Sequence, residues 1–336
     1  MRTAILGATG LVGRIMLTYL DQMEWVDEEP LLLCSQRSAG YELPFRSKLV
    51  TCRNATEVDP TTIQLALFSA GAAASRDYAP RFTAAGAWVV DNSSAFRMEP
   101  EVPLVVPEIN PALVPALCPS QNSQGGIIAN PNCSTIQIAL ALAPLDQAFG
   151  LREVHVTTMQ SVSGAGQRGL TELKLQLAGE APDHPAAEQL FPQQIAHNVL
   201  PAIGPALADG SFEEEIKVVR ELRKILDLPD LAVTCTATRV PVRIGHCAAV
   251  RVVLSRAVKP PEAIKAMQEW PGLVVHADPH AYETPRQVSG RTEVYVGRLR
   301  QESRRENVLL FWIVADNLLK GAAWNAVQIA ELLVAV

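Results

Sequence analysis

The sequence predicts an α/β protein in two parts: a doubly wound parallel-sheet domain and a second α/β domain built on a mixed sheet. Three observations carry this expectation. At 336 residues the chain exceeds what one hydrophobic core ordinarily organises. Its first third alternates continuously apolar β-like runs with helical ones, as βαβ units with doubly covered strands do. From about residue 151 the texture turns to Val- and Thr-rich runs, which suit strands of a mixed or antiparallel sheet.

Taken in order, "TAILGA" reads as a strand, "GRIMLTYLDQM" as a helix, and "EPLLLCS" and "IQLALFSA" as strands. "ASRDYAPRFTAAG" is helical, "AWVVDNS" a strand, and "GGIIANPN" one strand more. The second part offers "REVHVTTMQSVSG", "LAVTCTATRVPVRI", "CAAVRVVLSR" and "TEVYVGRLR" as strands, with a Pro-rich helical excursion over 171–228 between them. Within it Ser211-x-x-Glu214 reads as a capping box opening the helix "FEEEIKVVRELRKIL", and Glu213–Lys217 adds an i,i+4 pair. The ending "LLKGAAWNAVQIAELLVAV" has strong helical periodicity. The expected domains are 1–129, completed by a C-terminal helix 316–336, and 130–315.

Hydrophobic residues make up 48% and charged residues 19%, with a mean hydropathy of +0.12, which describes a well-cored protein rather than a disordered one. A net charge of −6 and a pI near 5.6 speak against a nucleic-acid partner. The apolar run "VLLFWIVA" (308–315) is far too short to span a bilayer, and "MRTAILGATG" reads as a first strand and not a leader, so no membrane partner is expected. The six cysteines (34, 52, 118, 133, 235 and 247) form no CxxC pair and no His/Cys ligand spacing. That pattern predicts a reduced, cytoplasmic protein without a metal.

"ILGATGLVG" follows the first strand, and Gly7, Gly10 and Gly13 form G-x-x-G-x-x-G, a relative of the dinucleotide fingerprint. The backbone must turn sharply there, and pyrophosphate oxygens approach its amides at a helix N-terminus. Strand two, "PLLLC", ends in Ser35-Gln36-Arg37-Ser38, with no carboxylate to grip a ribose 2′-hydroxyl. A guanidinium and hydroxyls suit a 2′-phosphate instead, so NADP is the expected cofactor. An ordinary surface arginine is the plain alternative.

In "IIANPNCSTIQIALALAPL" (127–145) Cys133 falls at a strand-to-helix corner, as the first or second residue of a helix. There the helix dipole stabilises a thiolate, while Asn132 and the following amides can donate to an oxyanion. A buried, inert thiol is the alternative, and Cys34, Cys52, Cys118, Cys235 and Cys247 are assigned to that class. Among the histidines (155, 184, 197, 246, 276 and 280), His246 stands out because "RVPVRIGHC" ends a strand at a Gly-His turn, with Arg239 earlier on the same strand. His246 is a candidate base for Cys133 or an ordinary packing residue.

The order and spacing of these segments resemble the aspartate-semialdehyde dehydrogenases nearly end to end. The likeness runs through "GATGLVG", "SQRSAG", "DNSSAFRMEPEVPLVVPEIN", "NPNCSTIQ", "QSVSGAG", "EEEIKVVRELRKIL", "TRVPVRIGH", "VGRLR" and "VADNLLKGAAWNAVQIAE". The resemblance implies a Rossmann-type NADP domain and a catalytic and dimerisation domain, assembled as a homodimer or homotetramer. It implies reductive dephosphorylation of L-4-aspartyl phosphate to L-aspartate 4-semialdehyde with NADPH, on the route to lysine, threonine and methionine. In the oxidative direction Cys133 attacks the aldehyde, hydride leaves, and phosphate attacks the thioester. By the same likeness His246 is the acid/base and Gln160 orients the substrate. Arg239 grips the carboxylate, Glu215 meets the amino group, and Arg97 and Lys217 hold phosphate. Cofactor contacts extend to Thr9, Leu11, Val12, Ser69, Gly71, Ser163, Gly164 and Asn317. Cys247 and Ala248 stand where a Ser-Glu-like pair is expected after the histidine.

Two rival readings share much of this pattern. An N-acetyl-glutamyl-phosphate reductase has the same loop and corner cysteine, although its corner reads Pro-Gly-Cys-Tyr. A non-catalytic NADP-binding paralogue would keep the fold and not need Cys133.

Overall fold

The computed structural model describes residues 1–114, 125–179 and 190–334. Cys118 and His184 lie outside the described residues. The chain divides into two compact units, Met1–Asn132 with Ala322–Val336, and Cys133–Gly321. The breaks fall a few residues after the boundaries expected at 129 and 315.

The first unit begins with β1 (Thr3–Leu6), α1 (Leu11–Leu20), β2 (Leu31–Cys34), and the antiparallel pair β3 (Glu42–Phe45) and β4 (Lys48–Thr51). β5 (Arg53–Asn54), β6 (Leu65–Phe68), α2 (Ala72–Ala84), β7 (Trp88–Asp91) and β8 (Ile127–Ala129) follow. Six strands form a parallel sheet in the order β5-β2-β1-β6-β7-β8. All four residues of β1 and of β6 are buried, because helices cover both faces. On one face Ile5, Leu32 and Leu67 pack with Met16 and Leu20 of α1 and with Ile329 of the C-terminal helix (Trp324–Val334). On the other, Ala4, Leu6 and Phe68 meet Ala79 and Phe82 of α2. Each large side chain so buried stabilises the unit by about 1.5–3 kcal/mol. Strand order reverses between β1 and β6, and the glycine loop lies at that switch point.

The second unit contains α3 (Cys133–Phe149), β9 (Leu151–Gln160), α4 (Gly166–Leu177), α5 (Glu213–Leu226), β10 (Ala232–Arg239) and β11 (His246–Leu254). α6 (Pro260–Gln268), β12 (Leu273–Val275), the short α7 (Pro285–Val288), β13 (Val294–Glu302) and β14 (Arg305–Ala315) complete it. Its six-stranded sheet is mixed, as expected, in the order β10-β9-β11-β14-β13-β12. The outer pairs β10–β9 and β13–β12 are parallel and the inner pairs antiparallel. Every residue of α3 from Ser134 to Leu145 is buried, since the helix packs against this sheet and against α5 and α6.

Two local expectations are corrected. The strand predicted through Ile244 stops at Arg239, and His246 opens β11 instead of closing a strand. Pro241 has no N–H for a ladder, and Gly245 adopts φ 96°, packed too closely on Pro285 for any Cβ. The N-cap of α5 is Phe212 and not Ser211. The Ser211 hydroxyl donates to Asp209, while Glu215 Oε2 accepts the Phe212 N–H at 2.8 Å.

Candidate active site

Cys133 is the first residue of α3, partly exposed, with no acidic residue in that helix's first turn. A thiolate there meets unsatisfied backbone N–H groups and the positive end of the helix dipole. Asn132, immediately before it, is buried. A five-residue π-helical turn, Leu319–Ala323, brings Gly321 against the cysteine: a Cβ at Gly321 would lie 3.0 Å from Cys133 Cβ. A side chain there would crowd the cysteine. Such turns recur at functional sites.

The other described cysteines differ sharply. Burial pushes Cys52 up to about 11 and Cys235 and Cys247 up to about 12, and it raises Cys34 as well. They are thiols at neutral pH and poor nucleophiles.

Parallel pairing sets Gln160 opposite Arg239 at the ends of β9 and β10, and His246 opens β11 beside them. Arg239 is buried, and its Nη1 donates to the Ser161 carbonyl at 2.8 Å. Burial pulls its pKa down, while negative charge on Cys133 and Glu214 opposes that shift, so the cysteine and the guanidinium are in electrostatic reach. His246 is wholly buried; desolvation, then the Arg239 charge, holds its pKa well below the usual imidazole value. Its Nε2 has no hydrogen-bond partner among the described residues. A Cβ on Gly164 would lie 2.7 Å from Arg239 Nη1 and 3.0 Å from His246 Nε2, so glycine keeps open the space on which both converge.

Glu215 does not join this cluster. Its Oε2 is committed to the Phe212 N–H and its Oε1 accepts the Ala237 N–H at 3.0 Å, so it braces α5 against β10. Glu214, about 100° away around the helix, is the carboxylate that does. It is buried, and its Oε1 accepts from Gln160 Nε2 at 3.2 Å. The signal available in the sequence was Lys217, which lies 3.0 Å from Glu213 and 3.9 Å from Glu214, both on its own face of α5. Glu214→Gln is therefore expected to lower kcat/KM about a hundredfold, whereas Glu215→Gln costs about 1–3 kcal/mol of stability and leaves kinetics nearly unchanged. Steady-state rates and thermal melts on both variants distinguish them; equal kinetic losses would reverse the assignment.

Ser163 and Asn317 are buried and joined: Asn317 Nδ2 donates to Ser163 Oγ at 2.9 Å, and Asn317 Oδ1 accepts the Gly245 N–H at 2.9 Å. Both are turned toward the His246 loop.

The remaining predicted residues belong to the first unit. Gly7 adopts φ 86°, and a Cβ there would lie 2.5 Å from the Ser69 carbonyl oxygen. One on Gly13 would lie 2.2 Å from the Gly7 oxygen. Gly10 is the N-cap of α1, Leu11 and Val12 are its first residues, and Thr9 accepts a hydrogen bond from Arg14 through its carbonyl. Gly71, at φ 87°, caps α2, so Ser69 and Gly71 sit at the exit of β6, next to the loop leaving β1. Ser35, Arg37 and Ser38 stand in a short 3-10 turn after β2, with Arg37 exposed. Arg97 is buried: Nε donates to the Asn130 carbonyl and Nη2 to the Asn92 carbonyl, both at 2.9 Å, tying it to the strand end that leads to Cys133.

Residues 2–116 match the family model "Semialdehyde dehydrogenase, NAD binding domain", and residues 142–320 match "Semialdehyde dehydrogenase, dimerisation domain". An aspartate-semialdehyde dehydrogenase of Aquifex aeolicus is 44% identical over 99% of this chain and 98% of its own length. One of Bacillus subtilis is 40% identical over 98% and 96%. A crystal structure of aspartate semialdehyde dehydrogenase II from Vibrio cholerae, complexed with ASA, superposes with a TM-score of 0.91 at 41% identity, covering 99% of this chain and 98% of that one.

Proposed function

The chain belongs to the aspartate-semialdehyde dehydrogenase family, and from that premise we propose that it interconverts L-4-aspartyl phosphate and L-aspartate 4-semialdehyde through a thioester on Cys133. The observation that carries this reading is the space beside Gly164, where Arg239 Nη1 and His246 Nε2 converge in the same unit as a helix-terminal cysteine whose charge Arg239 feels. A substrate bearing a carboxylate and an acyl group fits both groups at once.

A nicotinamide cofactor, when bound, supplies or removes the hydride. The glycine loop fits such a group: Gly7 and Gly13 admit no side chain, and the α1 N-terminus carries no acid to repel pyrophosphate. The rest of the chemistry falls to the chain's own residues. The Cys133 sulfur attacks the acyl carbon and phosphate departs. The carbonyl oxygen gains charge, for which Asn132 and the first amides of α3 are the proposed donors. Arg239 holds the α-carboxylate through its guanidinium, whose Nη1 also donates to the Ser161 carbonyl. Glu214 receives the α-ammonium, and Gln160, bonded to Glu214, orients the chain between them.

NADP is favoured over NAD because Arg37 stands exposed after β2 and Ser35, Gln36 and Ser38 around it carry no acid. Arg37→Ala is expected to raise KM for NADPH about tenfold or more and leave KM for NADH unchanged. Equal effects on both cofactors would remove Arg37 from this role.

A second copy of the chain is the proposed partner. Outward residues of the mixed sheet, among them His155, Thr157, Thr234, Thr236 and Ala249, are exposed in a contiguous field and line a recess of about 380 Å³. A large uncovered sheet face is a common homodimer surface. No helix among the described residues is long and apolar enough to cross a membrane; a cytoplasmic site of action is part of the proposal.

Phosphate-dependent reduction of NADP with aspartate semialdehyde tests the assignment. Turnover that ignores phosphate, or a preference for N-acetyl-glutamate semialdehyde, would overturn it.

A further inference from the structure

We propose that Gln36 is a further specificity-determining residue, its carboxamide turned by the buried Asn54 so that its N–H donors face a cofactor bearing a 2′-phosphate. This rests on the NADP reading given above.

The turn that carries Gln36 is pinned to the edge of the parallel sheet. Ser38 N–H donates to the Ser35 carbonyl at 2.9 Å and closes the 3-10 turn Gln36–Ser38. The chain beyond it is held to the approach of β5. There Gly40 N–H donates to the Cys52 carbonyl at 2.9 Å, and Cys52 N–H to the Tyr41 carbonyl at 2.7 Å. β5 pairs in parallel with β2, with Asn54 in register with Cys34, so Asn54 stands beside the residues that follow β2.

Each polar atom of the Asn54 carboxamide is committed. Oδ1 accepts the Thr56 N–H at 3.3 Å, and a backbone N–H can only donate. Nδ2 donates to Gln36 Oε1 at 2.6 Å and to Glu57 Oε1 at 3.0 Å, which uses both of its protons. With Oε1 engaged by a donor, Gln36 keeps its two Nε2 protons for another partner. Reversing Gln36 would set Nε2 against Asn54 Nδ2, donor on donor. Reversing both amides would forfeit the Thr56 bond and turn an oxygen toward the Glu57 carboxylate. Asn54 is buried and Gln36 exposed, so the inner amide is fixed while the outer one is open to a ligand.

A phosphate dianion only accepts hydrogen bonds. Gln36 Nε2 adds neutral donors to the Arg37 guanidinium and the Ser35 and Ser38 hydroxyls on the same short turn. A ribose 2′-hydroxyl gains less, because the residues after β2 hold this amide where a carboxylate would accept its proton. Glu57 is the acid of this network, and Asn54 Nδ2 holds it.

The test is calorimetric titration of the full chain with two probes that differ only at the 2′ position, adenosine 2′,5′-bisphosphate and adenosine 5′-monophosphate. The parent is expected to bind the bisphosphate more tightly. Gln36→Leu removes the donors and should weaken bisphosphate binding about tenfold; Gln36→Glu puts a carboxylate in their place and should weaken it about a hundredfold. Asn54→Asp offers Gln36 an acceptor, which turns the outer amide round, and should cost about tenfold in a protein that circular dichroism shows to be folded. The monophosphate should bind all three variants as it binds the parent. Gln36 variants with parental bisphosphate affinity, or with equal losses for both probes, would overturn the proposal. Gln36 is exposed, so they give that answer whether or not the Asn54 variant folds. A folded Asn54→Asp protein with parental affinity would overturn the orienting role of Asn54. If Arg37→Ala alone loses the bisphosphate preference, the NADP reading stands and Gln36 loses its role; a parent that binds both probes alike ends both.

Discussion

Replacing Cys133 by alanine should abolish turnover, by about 10⁴-fold or more, while NADPH binds as tightly as to the parent. The loss is large because no second thiolate is available among the described cysteines: burial keeps Cys34, Cys52, Cys235 and Cys247 protonated at neutral pH. The glycine loop and Arg37 belong to the other unit and are untouched. Cofactor fluorescence titration and a coupled assay on one preparation give both readings. A Cys133→Ala protein with appreciable phosphate-dependent activity would end the thioester mechanism and favour the non-catalytic paralogue. Alkylation supplies an independent check, because an iodoacetamide pulse at neutral pH should label Cys133 before any other described cysteine.

Arg239→Leu should lower kcat/KM about a thousandfold, mostly through KM for aspartate semialdehyde. Two interactions vanish together, the carboxylate partner and the donor to the Ser161 carbonyl. Arg239→Lys should recover little, since a point charge cannot satisfy that carbonyl and grip a carboxylate side-on. Steady-state kinetics on both variants, with circular dichroism to verify folding, decides the matter. A leucine variant with parental KM would place the carboxylate elsewhere.

Much of this site was legible because its signals are local. The glycine loop needs only a strand, three glycines and a helix start, all within Thr3–Leu20. The Cys133 corner is equally compact, and "NPNCST" marks the helix start at the cysteine itself. The proposed Glu214 lies one position from the expected Glu215 because helix phase depends on where α5 begins. Moving its cap from Ser211 to Phe212 changes which acid reaches back to close the helix and which turns inward. Pro241 and Gly245 foretold a break in the strand, yet Val-rich flanks concealed it. The Ser161–Asn317 contact joins residues 156 apart, and no periodicity within either segment could reveal it. The π-helical turn was hidden for another reason: "LLKGAAW" reads as ordinary helix, and the extra residue in the turn follows from tertiary packing on Cys133.

That Gly321 contact bears on how the polypeptide is assembled. Cys133 and Gly321 are the first and last residues of the second unit, and they touch. The first unit is closed in the same manner, for Asn130 Nδ2 donates to the Ala322 carbonyl at 3.2 Å across its own gap. The second unit thus begins and ends at a single point, like a domain inserted into a loop of the first. Joining such ends demands little closure entropy, which suits independent folding of the interrupted unit. A chain with residues 133–321 replaced by a short glycine linker should retain the parallel sheet and its glycine loop.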